Sequence, residues 1–165
     1  MNKLKNKIDK IINKKKTLLG VGPMSLNVVD SSIELADKYK SPIMLIASRR
    51  QVDSDEFGGG YVNNWTTKNF SNYVKKKEKT KNIYLARDHG GPWQNNLDIE
   101  GKISLKSAMI SAKNSFEEDI DSGFSFIHID TSIDIHKKIN FRNSMDRLFE
   151  LYEHCHAYSK RKKKE

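Results

Sequence analysis

Apolar positions along this chain recur with two different periods, and the order of these periods predicts a parallel α/β fold. Residues 2–15 show helical spacing, because Leu4, Ile8, Ile11 and Ile12 fall on one side between lysines. Four short apolar runs then alternate with four helical segments. The predicted strands are 17–24, 42–47, 82–87 and 124–130, and the predicted helices are 27–39, 68–79, 105–121 and 143–159. Strands that alternate with helices form right-handed βαβ units, so we expect a parallel sheet.

Capping residues mark several of the predicted element ends. Ser104 is a suitable N-cap for the helix that follows it, and Thr66 or Thr67 is suitable for the helix of residues 68–79. Gly123 is a natural C-terminal stop. On the last helix, helical spacing predicts an inner face formed by Met145, Leu148, Phe149 and Tyr152, with His156 as a further candidate.

Long polar segments follow the predicted strands, whereas the links from helix to strand are short. The segments 48–65 and 88–103 are examples. This asymmetry is typical of an α/β barrel whose functional residues lie at the carboxyl ends of its strands. An open doubly wound sheet gives a similar order, but Gly20-Val21-Gly22-Pro23 lacks the third glycine of its nucleotide-binding fingerprint. The predicted fold class is therefore the α/β (β/α)8 TIM barrel.

The chain is short for a whole barrel. A complete TIM barrel needs about 250 residues and eight strands, whereas this chain has 165 residues. We therefore expect residues 1–16 to form a basic amphipathic helix and residues 17–165 to form about four βα units, the N-terminal half of a truncated barrel. The alternative is a natural half-barrel that closes by dimerisation. An open parallel half-sheet exposes its edges and an apolar face, which predicts self-association or poor solubility.

The distribution of charge argues against a nucleic-acid-binding domain, although the net charge is +9. Most of the excess positive charge lies in residues 1–16 and 160–165, so the body of the chain is close to neutral. A nucleic-acid-binding domain carries its basic stripe on the folded body. The chain also lacks an apolar run long enough to cross a membrane, and the single Cys155 cannot form an internal disulfide. We therefore expect a cytoplasmic protein without a membrane partner.

Two predicted strands end in residues that can perform chemistry. One delivers Asp88 and His89 into a Gly-Gly-Pro turn, and the other ends in His128 and Asp130. The two aspartates are candidate catalytic carboxylates, and the two histidines are candidate metal ligands. Alternation along a strand would point Asp88 and His89 to opposite faces, so they converge only if the backbone turns at His89. For each strand end, the alternative is that the polar groups merely satisfy the turn or the barrel core.

The remaining candidates are residues that could bind a substrate. The backbone N–H groups of Gly58, Gly59 and Gly60 could hold a phosphate, with Arg49 or Arg50 nearby. The alternative is a flexible loop whose glycines allow positive φ angles. Thr131 and Ser132 could either cap their loop or bind substrate. The full set of substrate-binding candidates is Arg49, Gln51, Gly58, Gly59, Arg87, Thr131 and Ser132.

Four motifs occur in an order and spacing that resemble a known family. They are Gln51-Val52, Phe57-Gly58-Gly59 with Tyr61, Asp88-His89-Gly90-Gly91-Pro92, and His128-Ile129-Asp130-Thr131-Ser132. Together they are similar to the class II D-tagatose-bisphosphate aldolase accessory subunit, over roughly residues 17–160. The resemblance implies a TIM-barrel protein of sugar-phosphate metabolism, oligomeric and partnered by a zinc-dependent catalytic aldolase subunit.

The resemblance also implies roles for the strand-end residues. Asp88 matches the proton-transfer position of related zinc aldolases, and His89 matches a zinc ligand. A catalytic zinc site needs three protein ligands, so zinc is expected only in a complete barrel or in the partner subunit. The alternative function is an independently active, metal-dependent sugar-phosphate aldolase with Asp88 as general base. A basic nucleic-acid-binding protein is the third and least supported hypothesis.

Overall fold

The computed structural model describes residues 3–15 and 17–163, and it confirms the predicted alternation of strands and helices. The elements are α1 (Lys3–Asn13), β1 (Leu19–Val21), α2 (Leu26–Tyr39), β2 (Ile43–Ser48), α3 (Thr67–Lys77), β3 (Ile83–Gly90), α4 (Asn96–Glu100), α5 (Leu105–Ser122), β4 (Phe126–Ile129) and α6 (Phe141–Arg161), with a 3-10 turn at Asp55–Phe57. Residues 1, 2, 16, 164 and 165, which belong to the predicted basic ends, lie outside the described residues.

The four strands form one sheet in the order β1-β2-β3-β4, and all three pairings are parallel. Strands that follow one another in sequence are therefore neighbours in space, as they are in a TIM barrel. The described residues form an α/β fold that is consistent with half of such a barrel. None of the described helices is long and apolar enough to cross a membrane.

The core lies between the sheet and the helices. Alternate residues of β2 and β3, such as Leu45 and Leu85, pack with Val29 of α2 and with Phe70 and Val74 of α3. A second apolar cluster joins β4 to α5 and α6. Its buried members are Met109, Ala112, Phe116 and Leu151. The helix-facing side of β2, β3 and β4 is thus packed, whereas Leu19 on the edge strand β1 is 54% exposed.

The opposite face of the sheet is only partly covered. Met44, Ile46, Tyr84 and Phe126 alternate with the core residues on β2, β3 and β4, and each is half-buried. The rings of Tyr84 and Phe126 meet edge to face, with centroids 6.4 Å apart. This is the face that would line the interior of a closed barrel, and the candidate site lies at its carboxyl end.

The predicted caps are found in the structure. The Ser104 side chain accepts a hydrogen bond from the N–H of Ser107. Thr66, rather than Thr67, caps α3 through the N–H of Asn69. Gly123 ends α5 with a φ of 86°, a conformation that glycine adopts without strain.

Besides the shorter bounds of β1 and β4, the structure differs from the sequence prediction in three places. β3 continues to Gly90, and its register with β4 shifts between Arg87 and Gly90. α4 was not predicted; it is five residues long and is capped by Asn95. On α6 the predicted inner face is wrong for Phe149, Tyr152 and His156, which are exposed. Met145 and Leu148 of the same predicted face are half-buried. The buried residues of α6 are Arg147, Leu151 and Tyr158.

Candidate functional site at the strand ends

The ends of β3 and β4 bring together Asp88, His89, His128 and Asp130, which we call the strand-end cluster. His128 Nδ1 lies 3.1 Å from Asp88 Oδ1, and His89 Nδ1 lies 2.7 Å from Asp130 Oδ2. The second oxygen of Asp88 lies 3.7 Å from His89 Nε2. The cluster is therefore a chain of alternating imidazoles and carboxylates, and each histidine side chain is more than half exposed.

The backbone at His89 explains how adjacent residues join the same cluster. His89 has a φ of 45°, in the left-handed region that non-glycine residues rarely adopt. This conformation coincides with the irregular register between β3 and β4. The expected turn at His89 is thus present, and Asp88 and His89 both reach the open side of the sheet.

Asp130 is held by four donors. Its Oδ2 accepts from Gln94 Nε2 at 2.8 Å and pairs with His89, and its Oδ1 accepts from the N–H and hydroxyl of Ser132 at 2.9 and 2.6 Å. Burial alone would raise the pKa of Asp130, but the hydrogen bonds from Ser132 and His89 lower it. Asp130 is therefore a carboxylate at neutral pH.

The same contact sets the charge of His89. The hydrogen bond to Asp130 raises the pKa of His89, and the charges of Asp88 and Asp130 act in the same direction. Partial burial and the cation Arg50 oppose this shift. The imidazole of His89 therefore holds its proton more tightly than a free histidine side chain does.

A cavity of about 330 Å³ opens beside the cluster at the carboxyl ends of β2, β3 and β4. It is lined by Ser48, Arg50, His89, Gln94, Asp130, Ser132 and Ile133. The cavity is thus lined by hydroxyl, amide, imidazole, carboxylate and guanidinium groups. Such a set can hydrogen-bond a polar ligand and exchange a proton with it.

Arg49 and Arg87, both predicted to bind substrate, lie in the interior instead. Arg87 makes two hydrogen bonds to Asp119, of 2.8 and 2.6 Å, and its remaining nitrogen donates to the carbonyls of Ala47 and Val52. Both side chains of this pair are fully buried. Burial disfavours a charged guanidinium, but the adjacent Asp119 raises the pKa of Arg87.

Arg49 is engaged in the same way. Its Nε donates to Asp53 Oδ2 at 2.9 Å, and its other nitrogens reach Gly91 O, Ser111 Oγ and Asp98. Burial raises the pKa of Asp98, although the charge of Arg49 opposes this shift. We call these two arginines with Asp53, Asp98 and Asp119 the buried arginine network. The network has a structural role, because the side chains of Arg49 and Arg87 are fully buried and a ligand from solvent cannot contact them.

The glycine loop does not present free N–H groups. The N–H of Gly58 donates to Asp55 O at 2.9 Å, and the N–H of Gly59 donates to Ser54 O at 3.1 Å. Both glycines have φ angles near 70° to 80°. The structure therefore favours the alternative of a turn that needs positive φ over a phosphate cradle.

Gln51 and Thr131 also have structural contacts. The Gln51 side chain accepts from the N–H of Ser48 and donates to the sulfur of Met24. Thr131 is buried and bonds Ser144 at the start of α6. Ser132, in contrast, remains exposed beside Asp130. Of the predicted substrate-binding set, only Ser132 lines the cavity.

The described residues do not by themselves fit a zinc ion. Zinc sites use at least three protein ligands, and no group of three His, Cys, Asp or Glu side chains within residues 3–15 and 17–163 is arranged to hold a metal. His89 and His128 also use their Nδ1 atoms for contacts with the two aspartates. Their assignment as zinc ligands stays a prediction that requires further ligands.

Four residues that line the cavity are not among the predicted site residues, namely Ser48, Arg50, Gln94 and Ile133. Arg50 was considered only as an alternative to Arg49, although a turn directly after β2 lets adjacent side chains diverge. Gln94 lies four residues after Gly90 and reaches Asp130, which directly follows β4. The sequence around Gln94 carries no pattern that identifies this contact, because the contact depends on the path of the loop.

Comparison with known proteins places the chain in one family. Residues 5–155 match the sequence model of a family described as D-tagatose-1,6-bisphosphate aldolase subunit GatZ/KbaZ-like. No curated protein matches the chain. A solved structure, that of a probable tagatose 6 phosphate kinase from Sinorhizobium meliloti 1021, is similar with a TM-score of 0.68 and 20% identity. The match covers 86% of this chain and 37% of that chain, and at this identity it supports the fold alone.

Proposed function

The chain belongs to the GatZ/KbaZ-like family of D-tagatose-1,6-bisphosphate aldolase subunits, and from this premise we propose that it is the accessory subunit of a class II, zinc-dependent aldolase. In this role it stabilises or activates a separate catalytic subunit that binds the zinc ion. The family match over residues 5–155 is the observation that carries the proposal. The same proposal includes that the protein is cytoplasmic and that it forms an oligomer.

The arrangement of the strand ends agrees with a supporting role. A class II aldolase stabilises the enediolate with a metal ion, and the described residues offer no group of three metal ligands. Their imidazoles and carboxylates bond one another instead. In the proposed assembly, these side chains contribute hydrogen bonds and proton transfer, and a role of His89 or His128 as a zinc ligand requires ligands beyond the described residues.

A second candidate is an independently active sugar-phosphate aldolase, and the strand-end cluster is the observation that favours it. Asp88 is a partly exposed carboxylate beside two histidines, which is a suitable setting for a general base. In this case the protein alone would cleave the bisphosphate. The two candidates therefore differ in whether a partner is required.

Retro-aldol cleavage of D-tagatose 1,6-bisphosphate separates them. We would assay the chain alone, a zinc-loaded class II catalytic subunit alone, and the mixture, following each activity during incubation. The accessory role predicts no turnover by the chain alone, and a higher or longer-lived activity in the mixture. Cleavage by the chain alone at an enzymatic rate would contradict it and support the second candidate.

A destabilised variant, assayed at a temperature at which it is unfolded while the wild-type chain is still folded, provides the control for this assay. Arg87→Met removes the partner of the buried Asp119 and retains the lysine-rich ends of the chain. If this variant raises the activity of the catalytic subunit as much as the folded chain does, the effect comes from the positive charge of the chain alone. If the folded chain leaves the catalytic subunit unchanged, the accessory role is wrong.

A further inference from the structure

We propose that the cavity beside the strand-end cluster binds the phosphate group of a phosphorylated sugar, with Arg50 as the residue that anchors it. This inference deepens the proposed function and rests on it only for the choice of a sugar phosphate as ligand. The cavity lies at the carboxyl ends of three parallel strands, where α/β proteins bind ligands. Arg50 is its only arginine or lysine among the described lining residues.

Arg50 differs from its neighbour Arg49 in how its guanidinium group is used. Arg49 is 1% exposed and bonds Asp53, Gly91 and Ser111. Arg50 is exposed, and no carboxylate among the described residues is in ion-pair contact with it. A guanidinium group is planar and can donate two parallel hydrogen bonds to a phosphate. Arg50 is therefore available for a ligand, and Arg49 is not.

The carboxylate inside the cavity is already satisfied by donors. Asp130 accepts hydrogen bonds from Gln94 and from the N–H and hydroxyl of Ser132, and it pairs with His89. These contacts reduce its repulsion of a bound anion, because donors of the protein surround both of its oxygens. A phosphate that is held at Arg50 therefore meets a carboxylate whose charge is compensated locally.

Hydroxyl groups complete the polar lining. The Ser48 oxygen accepts a long hydrogen bond of 3.4 Å from the N–H of Gln51, so its proton is free to donate to a ligand. Asp88, near the cavity, can accept from sugar hydroxyl groups through its exposed side chain. The arrangement thus offers a cation for a phosphate and neutral or acceptor groups for a sugar. The volume of about 330 Å³ lies at the lower end of ligand sites, which suits one small phosphorylated sugar.

Calorimetric titration of the purified chain tests this inference. The probes are D-tagatose 1,6-bisphosphate, inorganic phosphate and unphosphorylated D-tagatose. The variants are Arg50→Gln and the matched control Arg142→Gln, since Arg142 is also exposed and lies outside the lining of the cavity. Both variants remove one exposed positive charge, so any effect of net charge alone appears equally in the two.

The expected result is binding of the bisphosphate with at least about tenfold higher affinity than inorganic phosphate, and no detectable binding of the free sugar. Loss of a charged hydrogen bond lowers affinity by about tenfold or more, so Arg50→Gln should bind the bisphosphate more weakly than wild type by that factor. Arg142→Gln should leave its affinity unchanged. Arg50→Lys, which keeps the charge but not the fork, should retain part of the affinity.

Three results would overturn the inference. In the first, Arg50→Gln and Arg142→Gln bind the bisphosphate with the same affinity. In the second, the wild-type chain binds inorganic phosphate as tightly as the bisphosphate. In the third, the wild-type chain does not bind the bisphosphate. The accessory role is measured separately, by the activity of the catalytic subunit. A chain that binds the bisphosphate through Arg50 but does not assist that subunit would support this inference and contradict the proposed function.

Discussion

Arg87 and Asp88 are neighbours on β3, yet they belong to two regions with opposite properties. The Arg87 side chain is fully buried against α5, where Asp119 pairs with it. The Asp88 side chain is 39% exposed and contacts His128 on the open face. One residue step along a strand reverses the face of the sheet. The comparison shows that a polar residue at a strand end of this fold lies either in the buried interior or on the exposed face, according to its position in the alternation along the strand.

The two regions also differ in how strongly they hold the fold. The buried arginine network joins β2, β3, α5 and the intervening loops through charged hydrogen bonds inside the protein. Breaking a buried ion pair leaves an unpaired charge and is strongly destabilising. Water screens the strand-end cluster, so its ion pairs contribute little to stability. We therefore expect substitutions in the buried arginine network to change mainly stability, and substitutions in the strand-end cluster to change mainly ligand binding.

Gly91 connects the two regions. Its carbonyl accepts a hydrogen bond from Arg49 in the network. Its Cα lies so close to the backbone of Asp130 that a Cβ would overlap the Asp130 carbonyl oxygen. The position of Asp130 in the cluster thus depends on a glycine that the network holds in place.

The largest expected effect comes from removing Arg87. Arg87→Met should lower the free energy of unfolding by about 3–5 kcal/mol, because it leaves Asp119 buried and unpaired. Urea denaturation measures this loss. If the variant is too unstable to purify, the double variant Arg87→Met/Asp119→Leu should recover more than half of the stability. A loss below about 1 kcal/mol in the single variant would show that the network is not what holds these loops.

A smaller effect is expected at the link between the regions. Gly91→Ala should lower the free energy of unfolding by about 1–3 kcal/mol, since the added methyl group forces two backbone segments apart. It should also disturb the cluster, which the chemical shifts of the His89 and His128 imidazoles report by NMR. Gly58→Ala is a useful control, because its Cβ would meet no atom within 4 Å, although its φ of +77° adds strain. Unchanged imidazole shifts in Gly91→Ala would contradict the proposed link.

The smallest expected effect is the pH dependence contributed by His89. Its pKa in the folded protein is raised above 6.5 by the hydrogen bond to Asp130. Its stabilisation is therefore fully present below pH 6.5 and is lost as the pH rises through the folded-state value. Comparing wild type with His89→Gln over this range should show a difference in stability that shrinks at higher pH. NMR titration of His89 in Asp130→Asn should show a lower pKa, and an unchanged value would contradict the pairing.

Much of the fold and part of the site could be predicted from the sequence. Helix caps and apolar runs are local signals, so Ser104, Gly123 and the order of the elements were identified. Asp88, His89, His128 and Asp130 were identified because polar residues directly follow apolar strands. Whether they bind metal or substrate stays a prediction, since contacts within one chain do not test it.

The errors came from parity and from loop paths. Ile83, Leu85 and Arg87 occupy alternate positions of β3, so their shared face already indicated that Arg87 points toward the helices. The position of Arg49 depends on the turn after β2, and the contact of Gln94 depends on α4, a helix too short for a periodic signal. These features follow from tertiary packing, which local patterns do not encode.

The most direct test of the comparison is the same substitution in both regions. The free energies of unfolding of Asp119→Asn and Asp88→Asn would be measured by urea denaturation against wild type. We expect Asp119→Asn to lose about 3–5 kcal/mol, because Arg87 keeps an uncompensated buried charge, and Asp88→Asn to change stability by about 0.5 kcal/mol or less. Equal losses in the two variants would contradict the division into a structural network and an exposed functional cluster.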